Sequence, residues 1–219
     1  MNTQPGHLLW GILSVLVITF AAGANEADQQ WRSLFNGKDL SGWKVLGTAA
    51  WRVEDGVIVG TQDGDPKRAG LLDTIDEFQN FELTLDFFLD EHGKYNSGVY
   101  LRNDPNARGQ TGYQVNIGRG AAGEYCGGVY KDGWRAKGDE KDNIRKPLAW
   151  NTLVIRAQGP HIQVELNGQK IVDYTDPKPT EPLLRKGVIS LQTYGAEGHA
   201  GFVKFRNIKI RELSPSPGR

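Results

Sequence analysis

The chain has 219 residues, no net formal charge and a single cysteine. Without a basic tract it lacks the electrostatic footprint of a nucleic-acid binder, and with one thiol it closes no intrachain disulfide, so its stability rests on packing. Six Trp, seven Tyr and 28 Gly suit a β-protein whose aromatic faces stack on sugar rings, a composition that an aromatic core would satisfy equally.

In chain order, Leu8–Ala22 is an almost unbroken run of apolar and small residues, followed by the small-residue pattern Ala22-Gly23-Ala24. The run is short for a membrane span. It predicts a signal peptide over residues 1–24 and a secreted or periplasmic protein with no stable membrane association after cleavage; an uncleaved anchor is the alternative. No cysteine lies near the cut, which excludes the lipoprotein form of export. Residues 25–213 then read as one domain, and residues 214–219, with Pro215 and Pro217, as a disordered tail.

Strands follow one another from Leu34 onward. Trp51–Glu54 and Val57–Val59 flank Asp55-Gly56, a hairpin signal. Asp73–Gln79 is allowed at most one short helical turn. Phe81–Phe87 alternates cleanly, with Phe81, Leu83, Leu85 and Phe87 on one face and Glu82, Thr84 and Asp86 on the other. Val99–Arg102, Tyr113–Ile117, Thr152–Arg156, His161–Leu166, Gln169–Val172 (after the turn Asn167-Gly168), Val188–Gln192 and Phe202–Ile210 complete the strands. Gly118–Pro147 reads as a long glycine-rich loop with one short strand, of the length that tends to carry function. Its Cys126 sits in an apolar stretch and reads as an inert buried thiol. Many short strands without helices predict an all-β sandwich, jelly roll or barrel.

The alternation also nominates a site. Asp86, Arg102, Gln114, Asn116 and Gln192 all fall on the faces opposite their strands' apolar residues. If these strands are neighbours, a carboxylate, a guanidinium and three amides line one face, a carbohydrate-type set of donors and acceptors. The competing reading is an ordinary solvated face with Asp86 and Arg102 as a cross-strand ion pair. Asp139, Glu140, Asp142 and Asn143 make an oxygen-rich loop without calcium-loop spacing. No cofactor is predicted, and a divalent cation is left open.

Seven motifs occur in order: LFNGKDLSGW from Leu34, WRVEDGVIVG from Trp51, NSGVYLR from Asn96, GYQVNI from Gly112, WNTLVI from Trp150, LNG from Leu166 and VKFRNIKIREL from Val203. Together they resemble the 3-keto-disaccharide hydrolase domain family. The resemblance implies a concanavalin A-like jelly-roll sandwich of two antiparallel sheets. It also implies a glycan or 3-keto-sugar partner, cleaved by C2 proton abstraction, β-elimination and hydration. On that basis Arg102 is expected to stabilise the enolate and Asp86 to act as base or orient it. Gln114, Asn116 and Gln192 would bind the substrate, with Tyr130, Lys131 and Trp134 closing over the sugar. The family often carries an acidic residue where this chain has Gln114. Glu54, Glu124 and Asp86 are the candidates to take its place, and a non-catalytic, lectin-like binding module is the alternative function.

Overall fold

A computed structural model describes residues 1, 30–63, 65, 70–90, 96–107, 109–119, 123–194 and 200–215. The signal segment expected over 1–24 lies outside these residues apart from Met1, as do residues 216–219 of the expected tail. Among the described residues no helix is long and apolar enough to cross a membrane.

Among the described residues the period-two alternation becomes fifteen strands and one four-residue helix. In chain order they are β1 (Arg32–Ser33), β2 (Trp43–Gly47), β3 (Ala50–Glu54), β4 (Val57–Gln62), β5 (Gly70–Phe78), β6 (Phe81–Leu89), β7 (Asn96–Asn103) and β8 (Tyr113–Ile117). Then come β9 (Val129–Tyr130), β10 (Trp134–Ala136), β11 (Asn151–Gln158), β12 (His161–Leu166), β13 (Gln169–Thr175), α1 (Glu181–Leu184), β14 (Gly187–Tyr194) and β15 (Gly201–Glu212). They form two antiparallel sheets. The first runs β13-β12-β11-β6-β15-β4-β3, with β1 also on β15; the second runs β10-β9-β8-β7-β14-β5-β2. This is the two-sheet sandwich that the sequence predicts.

The core lies between the sheets. Phe81, Leu83, Leu85 and Phe87 of β6 face Val99 and Leu101 of β7, Tyr113, Val115 and Ile117 of β8, and Ile189 and Leu191 of β14 within one buried cluster. Each fully buried side chain of this size contributes about 1.5–3 kcal/mol relative to exposure. The opening motif is fixed by its tryptophan, whose indole N–H donates to the Leu34 carbonyl at 2.8 Å while the ring enters the core beside Phe35. The two turn signals act as read. Asp55-Gly56 (φ 49° and 75°) and Asn167-Gly168 (φ 52° and 79°) place both central residues in the left-handed region that a two-residue hairpin requires.

Two expectations are corrected. Asp73–Gln79 is no helical turn: through Phe78 it is strand β5, paired on both sides. Its segment Thr74-Ile75-Asp76 bulges opposite the single residue Ile189. Thr74 holds the bulge, its hydroxyl accepting from the Ile189 amide at 3.0 Å and donating to the Asp76 carbonyl at 2.7 Å. The glycine-rich stretch carries two short strands, β9 and β10, and an isolated bridge between Cys126 and Asp139. The Asp139 carboxylate accepts from the amides of Asn143, Ile144 and Arg145 at 2.8–3.0 Å. Its oxygens therefore close the loop's own backbone.

Candidate functional site

Because Val99, Leu101, Tyr113, Val115, Ile117, Ile189 and Leu191 point inward, the residues between them point out of the second sheet. Cross-strand register then gathers them: Tyr100 sits opposite Gln114, Gln114 opposite Tyr130, and Gly98 opposite both Asn116 and Gln192. These side chains floor a cavity of about 470 Å³, walled by Asn96, Gln110, Glu124, Trp134 and Tyr194. Its size falls within the range of small-molecule pockets.

Glycines make the floor flat. A Cβ on Gly98 would stand 2.4 Å from Gln114 Nε2 and 2.9 Å from its Cγ, so the glutamine lies across the space a side chain would fill. A Cβ on Gly118 would stand 2.4 Å from the Cβ of Glu124, so the loop returns its carboxylate to the sheet only over a glycine.

The polar groups form two hydrogen-bonded sets. Gln114 Nε2 donates to Gln192 Oε1 at 2.8 Å and to the Ser97 carbonyl at 3.4 Å. Asn96 Nδ2 donates to Glu124 Oε2 at 2.6 Å and to Asn116 Oδ1 at 3.2 Å. Asn116 Nδ2 lies 3.5 Å from both Glu124 Oε2 and the Tyr125 carbonyl. Burial raises the Glu124 pKa above the usual glutamate value, against the opposing effect of the Asn116 and Asn96 hydrogen bonds. Burial likewise pushes the Tyr100 hydroxyl well above the ordinary phenol range. On the far wall Trp134 meets Tyr125 and Tyr130 edge-on, with centroids 5.0 and 5.3 Å apart. The arrangement offers a carboxylate under hydrogen-bond control, amides, and an aromatic wall for the apolar face of a ring.

The structure thus brings together Gln114, Asn116, Gln192, Tyr130 and Trp134. It separates the other three nominated residues. Asp86 lies on the outer face of the first sheet, not the second. There it accepts from Thr152 Oγ1 at 2.8 Å, Asn207 Nδ2 at 2.7 Å and Arg206 Nε at 3.2 Å, two of these being its direct cross-strand partners. Glu82 on the same face pairs in the same way with Arg211 and Arg156, at 3.0 and 3.5 Å, which marks both carboxylates as parts of a charge ladder on that face. Arg102 makes no pair with Asp86. Its φ of 58° and the bulge of Leu101-Arg102 opposite Ile189 turn it out of the alternation. Its guanidinium is buried and donates to the carbonyls of Gln79, Gly159 and Leu183. Lys131 is directed to a different cleft, with Arg135 and Asp176, and pairs with Asp132 at 3.5 Å. Glu54 is exposed beside Arg52 on β3.

Tyr100 is a site residue that the parity of Val99 and Leu101 already implied. Asn96, Gln110 and Tyr194 lie at strand ends or in a loop, where alternation gives no signal. Glu124 is one of the three carboxylates named as substitutes, and the only one of them that lines the cavity. Among the described residues no three His, Cys, Asp or Glu gather as a metal ion would need.

Residues 30–211 match the model of a family described as the 3-keto-alpha-glucoside-1,2-lyase-like domain. A solved structure from Parabacteroides distasonis ATCC 8503, provisionally described as a glycosyl hydrolase, is 30% identical with a TM-score of 0.65, covering 84% of this chain and 100% of its own. A Bacillus subtilis protein of unknown function with a galectin-like fold aligns at 15% identity and a TM-score of 0.63, covering 85% and 96%. The carbohydrate binding module CBM66 from Bacillus subtilis aligns at 16% identity and a TM-score of 0.55, covering 78% and 96%. These last two attest the lectin-like jelly-roll fold. No curated protein matches the chain.

Proposed function

The chain belongs to the 3-keto-alpha-glucoside-1,2-lyase-like family, and from that premise we propose that it cleaves glycosides already oxidised at C3, with the cavity on the second sheet as its active site. A ketone at C3 acidifies the C2 hydrogen. Glu124 takes that proton, the electron pair passes through the C2–C3 enolate, and the C1–oxygen bond breaks as the leaving alcohol is protonated. Water then adds across the C1–C2 double bond. The observation that carries this reading is the position of Glu124: a carboxylate with a raised pKa, held by two amides at the wall of a sugar-sized cavity. The phenols of Tyr130 and Tyr194 on the cavity lining are suited to hydrogen-bond the developing oxyanion. Asp86 and Arg102 have no part in it, being on the other sheet's face and in a backbone junction.

The test is turnover of a 3-keto-glucoside beside the same glucoside unoxidised, with a chelator control. Only the keto form is cleaved, and Glu124→Gln lowers kcat by about 10²–10⁴-fold. Equal cleavage of both glycosides, or full activity in Glu124→Gln, overturns the reading. A non-catalytic glycan-binding module is the second reading, favoured by the two glutamine side chains that hold the centre of the floor; saturable binding with no turnover establishes it.

A further inference from the structure

The amide orientations in the cavity are not free. Gln114 Nε2 faces the Ser97 carbonyl, Asn116 Nδ2 faces the Tyr125 carbonyl, and Asn96 Nδ2 faces the Glu124 carboxylate. Each of these partners only accepts, so each amide must present its nitrogen there. Both hydrogens of all three nitrogens are engaged within the protein. What these side chains leave for a ligand is oxygen: among the described residues Gln114 Oε1, Asn96 Oδ1 and Glu124 Oε1 accept no hydrogen bond, and none of them is a sealed orphan.

We propose that Gln114, Asn96 and Glu124 form a one-sided acceptor array that reads the hydrogen-donating edge of a sugar. It takes hydroxyls as donors, or an ammonium in their place, and refuses a carbonyl. Resting on the keto-glycoside reading above, it follows that the C3 ketone, which has no proton to give, docks away from Gln114 and Asn96 and toward the phenols of Tyr130 and Tyr194. Gln192 strengthens this polarity, because its Oε1 is the shorter of the two contacts holding the Gln114 amide.

The experiment measures binding of methyl glucoside to the full chain, against its deoxy, deoxyfluoro and amino analogues at each position in turn. Fluorine replaces a hydroxyl in size but donates nothing. At the positions seated on the floor, the fluoro analogue loses about tenfold to hundredfold, as much as the deoxy analogue, while the ammonium binds at least as well as the hydroxyl. Gln192→Glu, which still accepts from Gln114, keeps the fluorine penalty. Gln192→Leu frees the amide and shrinks it. A fluoro analogue that binds like the parent at every position, or no binding by any member, overturns the proposal. If the pattern holds but no 3-keto-glucoside is cleaved, the elimination reading fails while the acceptor floor stands.

Discussion

Asp73 and Glu124 are carboxyls that burial pushes toward their neutral forms, one under the face of the second sheet and one at the cavity wall. Asp73 is 3% exposed, and its Oδ1 has no hydrogen-bond partner among the described residues, although the Ser190 hydroxyl and the Lys44 charge act against the shift. A raised folded pKa means that the native state binds more protons than the unfolded chain, so stability falls as pH climbs from the ordinary aspartate value of 3.8 through the raised one. Asp73→Asn therefore gains stability over the parent at pH 8, and the two converge near pH 4; thermal unfolding across that range checks it. The same direction at Glu124 gives an acid limb in kcat/KM whose midpoint lies above the usual glutamate pKa, and this limb disappears in Glu124→Gln. Asp86→Asn, by contrast, costs about 1 kcal/mol and leaves kcat/KM intact, since it weakens only the contacts to Thr152, Arg206 and Asn207 on the opposite face. Burial pushes the Cys126 thiol up to about 12, so iodoacetamide modifies it only after denaturation.

At the scale of elements, the clean alternations were readable and the interruptions were not. The parity of β6 gives its core face correctly from Phe81 to Phe87, and the same parity gives Gln114 and Asn116 on β8. It fails at Arg102 and across Thr74–Asp76, because a bulge shifts parity and is made by hydrogen bonds to a neighbouring strand that local sequence does not contain. At Arg102 the displaced side chain ties the second sheet to the β5–β6 turn, the β11–β12 turn and α1 through the carbonyls of Gln79, Gly159 and Leu183. Arg102→Ala strands those carbonyls at a cost of about 3 kcal/mol or more in chemical denaturation. The substitution Gly98→Ala works in the other direction. It drives a methyl into Gln114, weakening glycan binding by about tenfold through the lost acceptor, while the melting temperature changes little because the glutamine, not the backbone, gives way.

For the whole molecule, what the alternation could not supply was sheet membership. β6 and β7 are consecutive and both have apolar inner faces, yet they lie in opposite sheets. Their polar faces therefore look away from each other, which alone would separate Asp86 from Arg102 even without the bulge that turns the arginine inward. The motifs gave the family and the sandwich because they mark strands and turns; the cavity depends on which strands adjoin. Both sheets are also completed late. β15 sits between β6 and β4, and β14 between β7 and β5, so each sheet's earlier strands wait for a partner made far downstream. Emerging from the ribosome, the first 186 residues thus display four unpaired strand edges around an interior that still lacks the apolar residues of β14 and β15, and no folding unit closes before Gly201–Glu212 arrives. The chain is consequently all-or-nothing in synthesis: a premature stop in the final strand releases no smaller domain, only a sticky, protease-sensitive polypeptide.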